Sequence, residues 1–322
     1  MKKAFALVLS LMMLLSLTAV MAEDPSFLVG IAQFAVHGSL DNCREGFIQG
    51  MKEKGFEEGV NVFYDYQNAQ ADMGIAAGIA DQFVANGADM ILAIATPMAV
   101  VSVNSADGKV PVVYSAVSSP KDSGLATEDG LGEGPVTGTS DELPVAKQLE
   151  LIRALQPDAK VIGILYTLSE TNSLVQVKQY EAAAEQYGFT IESMGITSGA
   201  EVALAAPQLL QKADLVTMVL DNTVVQYLDT VLDAAEPLGK PVYGSEIEQV
   251  KRGCVAAAGL DYFDLGRQTG HLAARVLMGE DAATIPFETI QESAVYYNPE
   301  ALAALNIQLP ADLLARGTDV TK

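Results

Sequence analysis

Apolar residues in this chain fall in short runs, each followed by a segment with helical spacing. Phe27 to Gln33 reads as a strand and Asn42 to Lys54 as a helix ending near Gly55; Val60 to Tyr66 with Ala71 to Ala85 repeats the pair. Asp89 to Ala95 with Pro97 to Ala106 makes a third pair, and Val110 to Val117 a further strand. Strands this apolar, separated by helices, belong to a parallel sheet covered on both faces. The pattern predicts a doubly wound α/β domain. Within ILAIATPMAV (residues 91–100) a Thr-Pro pair interrupts the apolar run. Proline suits the first helical position after a capping hydroxyl, so a strand ends there and a helix begins.

From about 118 to 140 the pattern dissolves into residues rich in Gly, Ser, Pro and acids, the expected domain boundary. Alternation then resumes with Lys160 to Tyr166, a helix from Thr171 to Tyr187, Phe189 to Met194 and a helix near Ala200 to Gln211. Leu215 to Leu220, a helix from Thr223 to Leu238 and Pro241 to Tyr243 complete a second lobe. Val255 to Leu260 and the helix Leu265 to Met278 read as a return to the first lobe, and Phe287 to Tyr297 as a last crossing. The expected division is 27–138 plus about 258–286 for the N-terminal lobe, and 139–257 plus about 287–322 for the C-terminal lobe.

Residues 1–22 have two lysines, an apolar run and a small-residue end before Glu23-Asp24-Pro25, the layout of a secretory signal. An uncleaved anchor is the alternative. Cleavage after Ala22 is expected, with no adjacent cysteine for a lipid. The expected product is a soluble protein exported to the periplasm. Its net charge is 17 − 41 = −24 once Lys2 and Lys3 are removed. Such a surface repels phosphate backbones and anionic lipid, which argues against nucleic-acid and membrane-surface partners. Cys43 and Cys254 sit in apolar patterns and read as buried thiols rather than a bridge. His37 and His271 are isolated, no metal-ligand spacing occurs, and neither metal nor cofactor is expected. The chain lacks a Walker A loop, a G-x-S-x-G elbow and H-E-x-x-H, and Gly130-Leu131-Gly132-Glu133-Gly134 follows no strand. The expectation is a binding protein, not an enzyme.

In open α/β sheets ligands bind beyond the carboxyl ends of the strands. Six such ends carry polar side chains: Gln33-Phe34, Thr96-Pro97 and Ser115-Ala116 in the first lobe; Tyr166 to Asn172, Asp221-Asn222 and Ser245-Glu246 in the second. The first set is neutral and the second acidic, which suits a zwitterion. A carboxylate would meet the Thr96 and Ser115 hydroxyls and the Met98 and Ala99 amides; an ammonium would meet Asp221 or Glu246. Phe34 and Tyr166 would sandwich a side chain. The plainer reading makes Thr96, Asp221 and Asn222 helix caps, Glu246 a solvated acid and the two aromatics core residues.

Several stretches together resemble one family. Asn68-Ala69-Gln70, Ala93-Ile94-Ala95-Thr96-Pro97, Val136-Thr137-Gly138, Ser140-Asp141, Ser169-Glu170-Thr171-Asn172-Ser173, Asp221-Asn222 and Gly259-Leu260-Asp261-Tyr262 look like the motifs of TrpX-type substrate-binding proteins of ABC transporters. The likeness runs from about Phe27 to Pro310. It implies a type I periplasmic-binding fold, two α/β lobes joined by three crossovers that close on a small ligand. It also implies aromatic amino acids as ligands and a membrane permease and a cytoplasmic ATPase as partners; the receptor itself is expected to be a monomer. By position, Thr96 and Ser115 would hold the carboxylate, Asp221, Asn222 and Glu246 the ammonium end, while Ser169 and Asn172 line the second-lobe wall. Val36-His37-Gly38 departs from the family's acid-His-Pro run, and Tyr166-Thr167-Leu168 from its usual Tyr-Asn start. The rival expectations are a receptor that signals to a membrane sensor through the same cleft and an α/β hydrolase. A two-lobed transcriptional regulator is disfavoured by the signal and the charge.

Overall fold

A computed structural model describes residues 26–290 and 294–322. The expected signal at residues 1–22 lies outside the described residues. The first sheet contains β1 (Phe27–Gln33), β2 (Val62–Asn68), β3 (Met90–Ile94), β4 (Val112–Ser115), β5 (Val136–Ser140) and, late in the chain, β11 (Glu288–Thr289). Its order is β11-β5-β4-β3-β1-β2 and every pairing is parallel. Helices α1 (Gly38–Glu53), α2 (Met73–Ala85) and α3 (Thr96–Ala106) are the crossovers between these strands. Strands of five apolar residues such as β3, buried at every position, need cover on both faces, and the helices supply it.

The second lobe holds α4 (Val145–Leu155), β6 (Val161–Thr167), α5 (Thr171–Ala183), β7 (Thr190–Ile196), α6 (Val202–Lys212) and β8 (Leu215–Thr217). It continues with α7 (Asn222–Gln226), α8 (Leu228–Ala235), β9 (Val242–Tyr243), α9 (Ile247–Lys251) and β10 (Ala256–Gly259). Strands β7-β6-β8-β9 are parallel. Val255 N–H donates to Val242 O at 2.8 Å and Gly244 N–H to Ala256 O at 3.0 Å, which docks the start of β10 against β9 in this lobe. Alternate residues face opposite sides: Ile162 and Ile164 enter one core with Tyr180 and Tyr243, while Leu165 enters the other with Leu209 and Val224. No helix among the described residues is long and apolar enough to cross a membrane.

Three passages join the lobes, and their positions correct the sequence-based boundaries. The Gly-rich stretch before Val136 is a loop within the first lobe, because β5 pairs with β4. The chain leaves after Ser140, not 138. Val255 to Leu260 does not return to the first lobe; β10 packs in the second-lobe cores and leads a separate small sheet, antiparallel to β12 (Ala294–Tyr297), itself parallel to β13 (Gly317–Asp319). Only the following helix, α10 (Tyr262–Leu277), goes back. It packs so closely on α1 that a Cβ on Gly46 would stand 2.0 Å from Phe263 O, and one on Gly266 1.9 Å from Cys43 O. The last crossing follows β11, which still belongs to the first sheet.

Candidate functional site

A narrow cleft lies between the lobes. Its lining follows the ends of eight strands: His37 after β1, Thr96 after β3, Ala116 and Ser118 after β4, Asp141 after β5, Asn172 after β6, Leu220 to Asn222 after β8, Glu246 and Gln249 after β9, and Tyr262 after β10. Ser39, Leu40 and Val225 complete it. Parallel strands whose carboxyl ends meet in this way place helix N-termini and loop side chains around one space.

The first-lobe wall carries unpartnered groups. Ala95 turns the chain at φ +82° and ψ 151°, a conformation that favours glycine, and serves as the N-cap of α3. Thr96 is therefore the first helical residue rather than the cap, with Pro97 in the first turn. Its hydroxyl bonds to nothing in the protein and faces the cleft, although the residue is buried. Ala116, at φ +56°, is a second such turn on the same wall. Neither ring nitrogen of His37 has a well-formed hydrogen bond. Burial pushes this imidazole down to about 4, against weaker support from Asn222 and Asp41, so it is neutral at pH 7. Asp141 Oδ2 accepts from the Tyr262 hydroxyl at 2.5 Å, while Oδ1 is buried without a well-formed partner. Burial raises this carboxyl above the usual range.

The second-lobe wall is acidic, and its acids are mostly occupied. Asp221 accepts from Thr167 N–H at 2.6 Å, Ser173 Oγ at 2.7 Å, Thr167 Oγ1 at 2.9 Å and Val224 N–H at 2.7 Å, the last as N-cap of α7. Burial, then the neighbouring Glu170, push its carboxyl above the usual range. Glu246 caps α9, accepting from Glu248 N–H at 2.6 Å and Gln249 N–H at 2.9 Å; burial lifts it to about 7 despite those amides. Behind the wall, Glu170 accepts from Asn222 N–H at 2.9 Å, Asn222 Nδ2 at 2.7 Å, Thr223 N–H at 2.9 Å, Thr223 Oγ1 at 2.8 Å and Asn172 Nδ2 at 3.1 Å. It ties the loop after β6 to the loop after β8.

Of the residues expected from sequence, Thr96, Ala116, Asn172, Asp221, Asn222 and Glu246 line the cleft. The others do not. The Ser115 hydroxyl is buried among Thr269 at 2.7 Å, Cys43 Sγ at 2.9 Å and Thr139 at 3.3 Å, sealed beneath α10. Met98 and Ala99 are buried behind Thr96, and Ala99 N–H is used by Ala95 O at 3.0 Å. Phe34 packs in the first-lobe core, and Tyr166 packs against the second-lobe core, its ring near Gly195, so they form no sandwich. Ser169 is exposed outside the cleft. Sequence reasoning missed His37, Ser118, Asp141, Gln249 and Tyr262. Asp141 had a signal available: in Ser140-Asp141 it directly follows a strand, but the preceding loop hid that strand. Both cysteines are free and buried.

Two α/β lobes with polar strand ends converging on a closed-in cleft define a small-molecule receptor. Residues 28–321 match the family described as ABC transporter substrate binding protein, and the chain belongs to that family. A tyrosine-binding protein of Clostridioides difficile is 38% identical over 285 residues, 88% of this chain and 82% of that protein. An ABC domain from Streptococcus pneumonia in complex with L-Trp superposes with a TM-score of 0.88 at 33% identity, covering 91% of this chain and 99% of that one. A ligand-free, open substrate-binding protein with adhesive properties from Clostridium difficile gives 0.69 at 34% identity, over 91% of this chain and 99% of that one. The family comprises binding components of transporters rather than enzymes.

Proposed function

We propose that this protein captures an amino acid with an aromatic side chain between its lobes, closes over it and delivers it to an importing permease driven by an ATPase. The carrying observation is the set of buried polar atoms without well-formed partners on the cleft wall: Thr96 Oγ1, Asp141 Oδ1, Asn172 Oδ1 and the His37 nitrogens. Buried polar groups are nearly always paired, so such a concentration is what a polar ligand would satisfy. Thr96 would donate to the ligand carboxylate and the acids would receive its ammonium. Leu40, Leu220 and Val225 offer apolar contact for the side chain. The named ligands of the two relatives, tyrosine and L-Trp, support the aromatic class. Lobe closure is supported by the higher TM-score against the L-Trp complex than against the open, ligand-free relative of nearly equal identity.

A thermal-shift panel of amino acids tests this. A ligand present at about 100 times its dissociation constant adds about 2.7 kcal/mol of stability. Trp, Tyr or Phe should raise the midpoint and Asp or Lys should not. No shift with any aromatic amino acid would reject the aromatic class.

A further inference from the structure

Two of the three passages between the lobes meet at one hydrogen bond. Asp141 is the first residue after β5, at the start of the passage into α4; Tyr262 is the first residue of α10, at the end of the passage out of β10. The Tyr262 hydroxyl donates to Asp141 Oδ2 at 2.5 Å, and each residue is 3% exposed. The second passage starts tight against the loop after β9: a Cβ on Gly259 would stand 2.4 Å from Ser245 O. Both side chains line the cleft, and Asp141 Oδ1 is left buried there without a well-formed partner. Asp221 and Glu246 differ, since both of their oxygens already accept backbone amides. No lysine or arginine lines the cleft to neutralise Asp141.

Building on the amino acid reading above, we propose that Asp141 anchors the ligand ammonium through Oδ1 and that Tyr262 is a positioning residue that links this anchor to the second passage. A buried carboxylate with one oxygen fixed by a hydroxyl presents its other oxygen in a set direction, and a charge-assisted bond to an ammonium is the strong partner it lacks. Ligand occupancy then holds the carboxylate charged, tightens the Tyr262 bond and fixes two of the three passages at once. The anchor sits on the hinge itself, so filling the cleft and setting the angle between the lobes become one event.

The test compares each aromatic amino acid with its deaminated analogue by calorimetric titration. Wild-type protein should prefer the amino acid by about 100-fold. Asp141→Asn, of nearly the same shape, should reduce that preference to within a few-fold, and Tyr262→Phe should reduce it about tenfold. X-ray scattering of ligand-saturated Tyr262→Phe should show a more open molecule than ligand-saturated wild type. A preference that survives in Asp141→Asn, or is lost in Glu246→Gln instead, overturns the anchor. Wild type that binds both ligands equally does so too and leaves the amino acid cleft standing, a result that needs no variant to fold. Wild type that binds no aromatic amino acid overturns the functional reading and this anchor with it.

Discussion

The two walls of the cleft are built from the same kind of residue at the same kind of place, yet they are in different states. On the second-lobe wall Asp221 and Glu246 are each committed to backbone amides of the helix that follows. On the first-lobe wall Thr96 follows a strand in the same way, but its hydroxyl caps nothing. The difference separates residues that build the loops from residues left free to meet a ligand. Position at a strand end does not distinguish them; the count of satisfied lone pairs and protons does.

The largest expected effect comes from disturbing the committed side. Glu170→Ala would leave the Asn222 and Thr223 amides buried without an acceptor and should lower stability by about 3 kcal/mol, read as the midpoint of urea unfolding. Glu170→Gln keeps one acceptor oxygen and should cost less. A loss below about 1 kcal/mol in Glu170→Ala would mean that the loops after β6 and β8 hold each other without it.

Thr96→Val probes the free side. Removing a buried hydroxyl that has no partner should leave stability within about 1 kcal/mol of wild type, or raise it. Affinity for the amino acid should fall about tenfold, because the bond to the ligand carboxylate is lost. If Thr96→Val instead destabilises the empty protein and leaves affinity intact, the two walls are alike after all.

Much of the frame is legible in the sequence alone. Apolar runs such as Met90–Ile94 and the helices between them follow from periodicity, and so does the rule that points to strand ends. The hydroxyl of Ser115 shows where that rule stops: it ends a strand, yet α10, more than a hundred residues on, covers it with Thr269. Asp141 shows the converse, for its strand is short and follows a long irregular loop, and the hydroxyl that orients it comes from Tyr262. Pairings at such sequence separation are set by topology, which local pattern does not carry.

The pH dependence of the empty protein should follow the buried groups of both walls. Asp221 and Glu246 bind protons more tightly when folded than exposed carboxyls do, Glu246 at about 7 against the ordinary 4.5. Between those limits the folded state holds more protons from these acids, so their contribution falls as pH rises from 5 to 7.5. His37 acts oppositely, because its folded value of about 4 lies below the ordinary 6.5 and its contribution grows with pH across that window. Stability of the ligand-free protein should therefore be lower at pH 7.5 than at pH 5, and His37→Gln should steepen the fall below pH 6.5. A flat profile in both proteins would show that the acids of the cleft are solvated.

The smallest effect is expected at the turn that sets Thr96 in place. Ala95 is held at φ +82°, where glycine carries no steric penalty and alanine does. Ala95→Gly should relieve that strain, while glycine gains freedom in the unfolded chain, so the net stabilisation should be about 1 kcal/mol or less. If the strained turn serves to aim the Thr96 hydroxyl, the looser backbone should weaken ligand binding about threefold, less than Thr96→Val does. Gain of stability with unchanged affinity would mean that Pro97 and the packing of α3 aim Thr96 by themselves, and that the strain at Ala95 serves only the path of the chain from β3 into its helix.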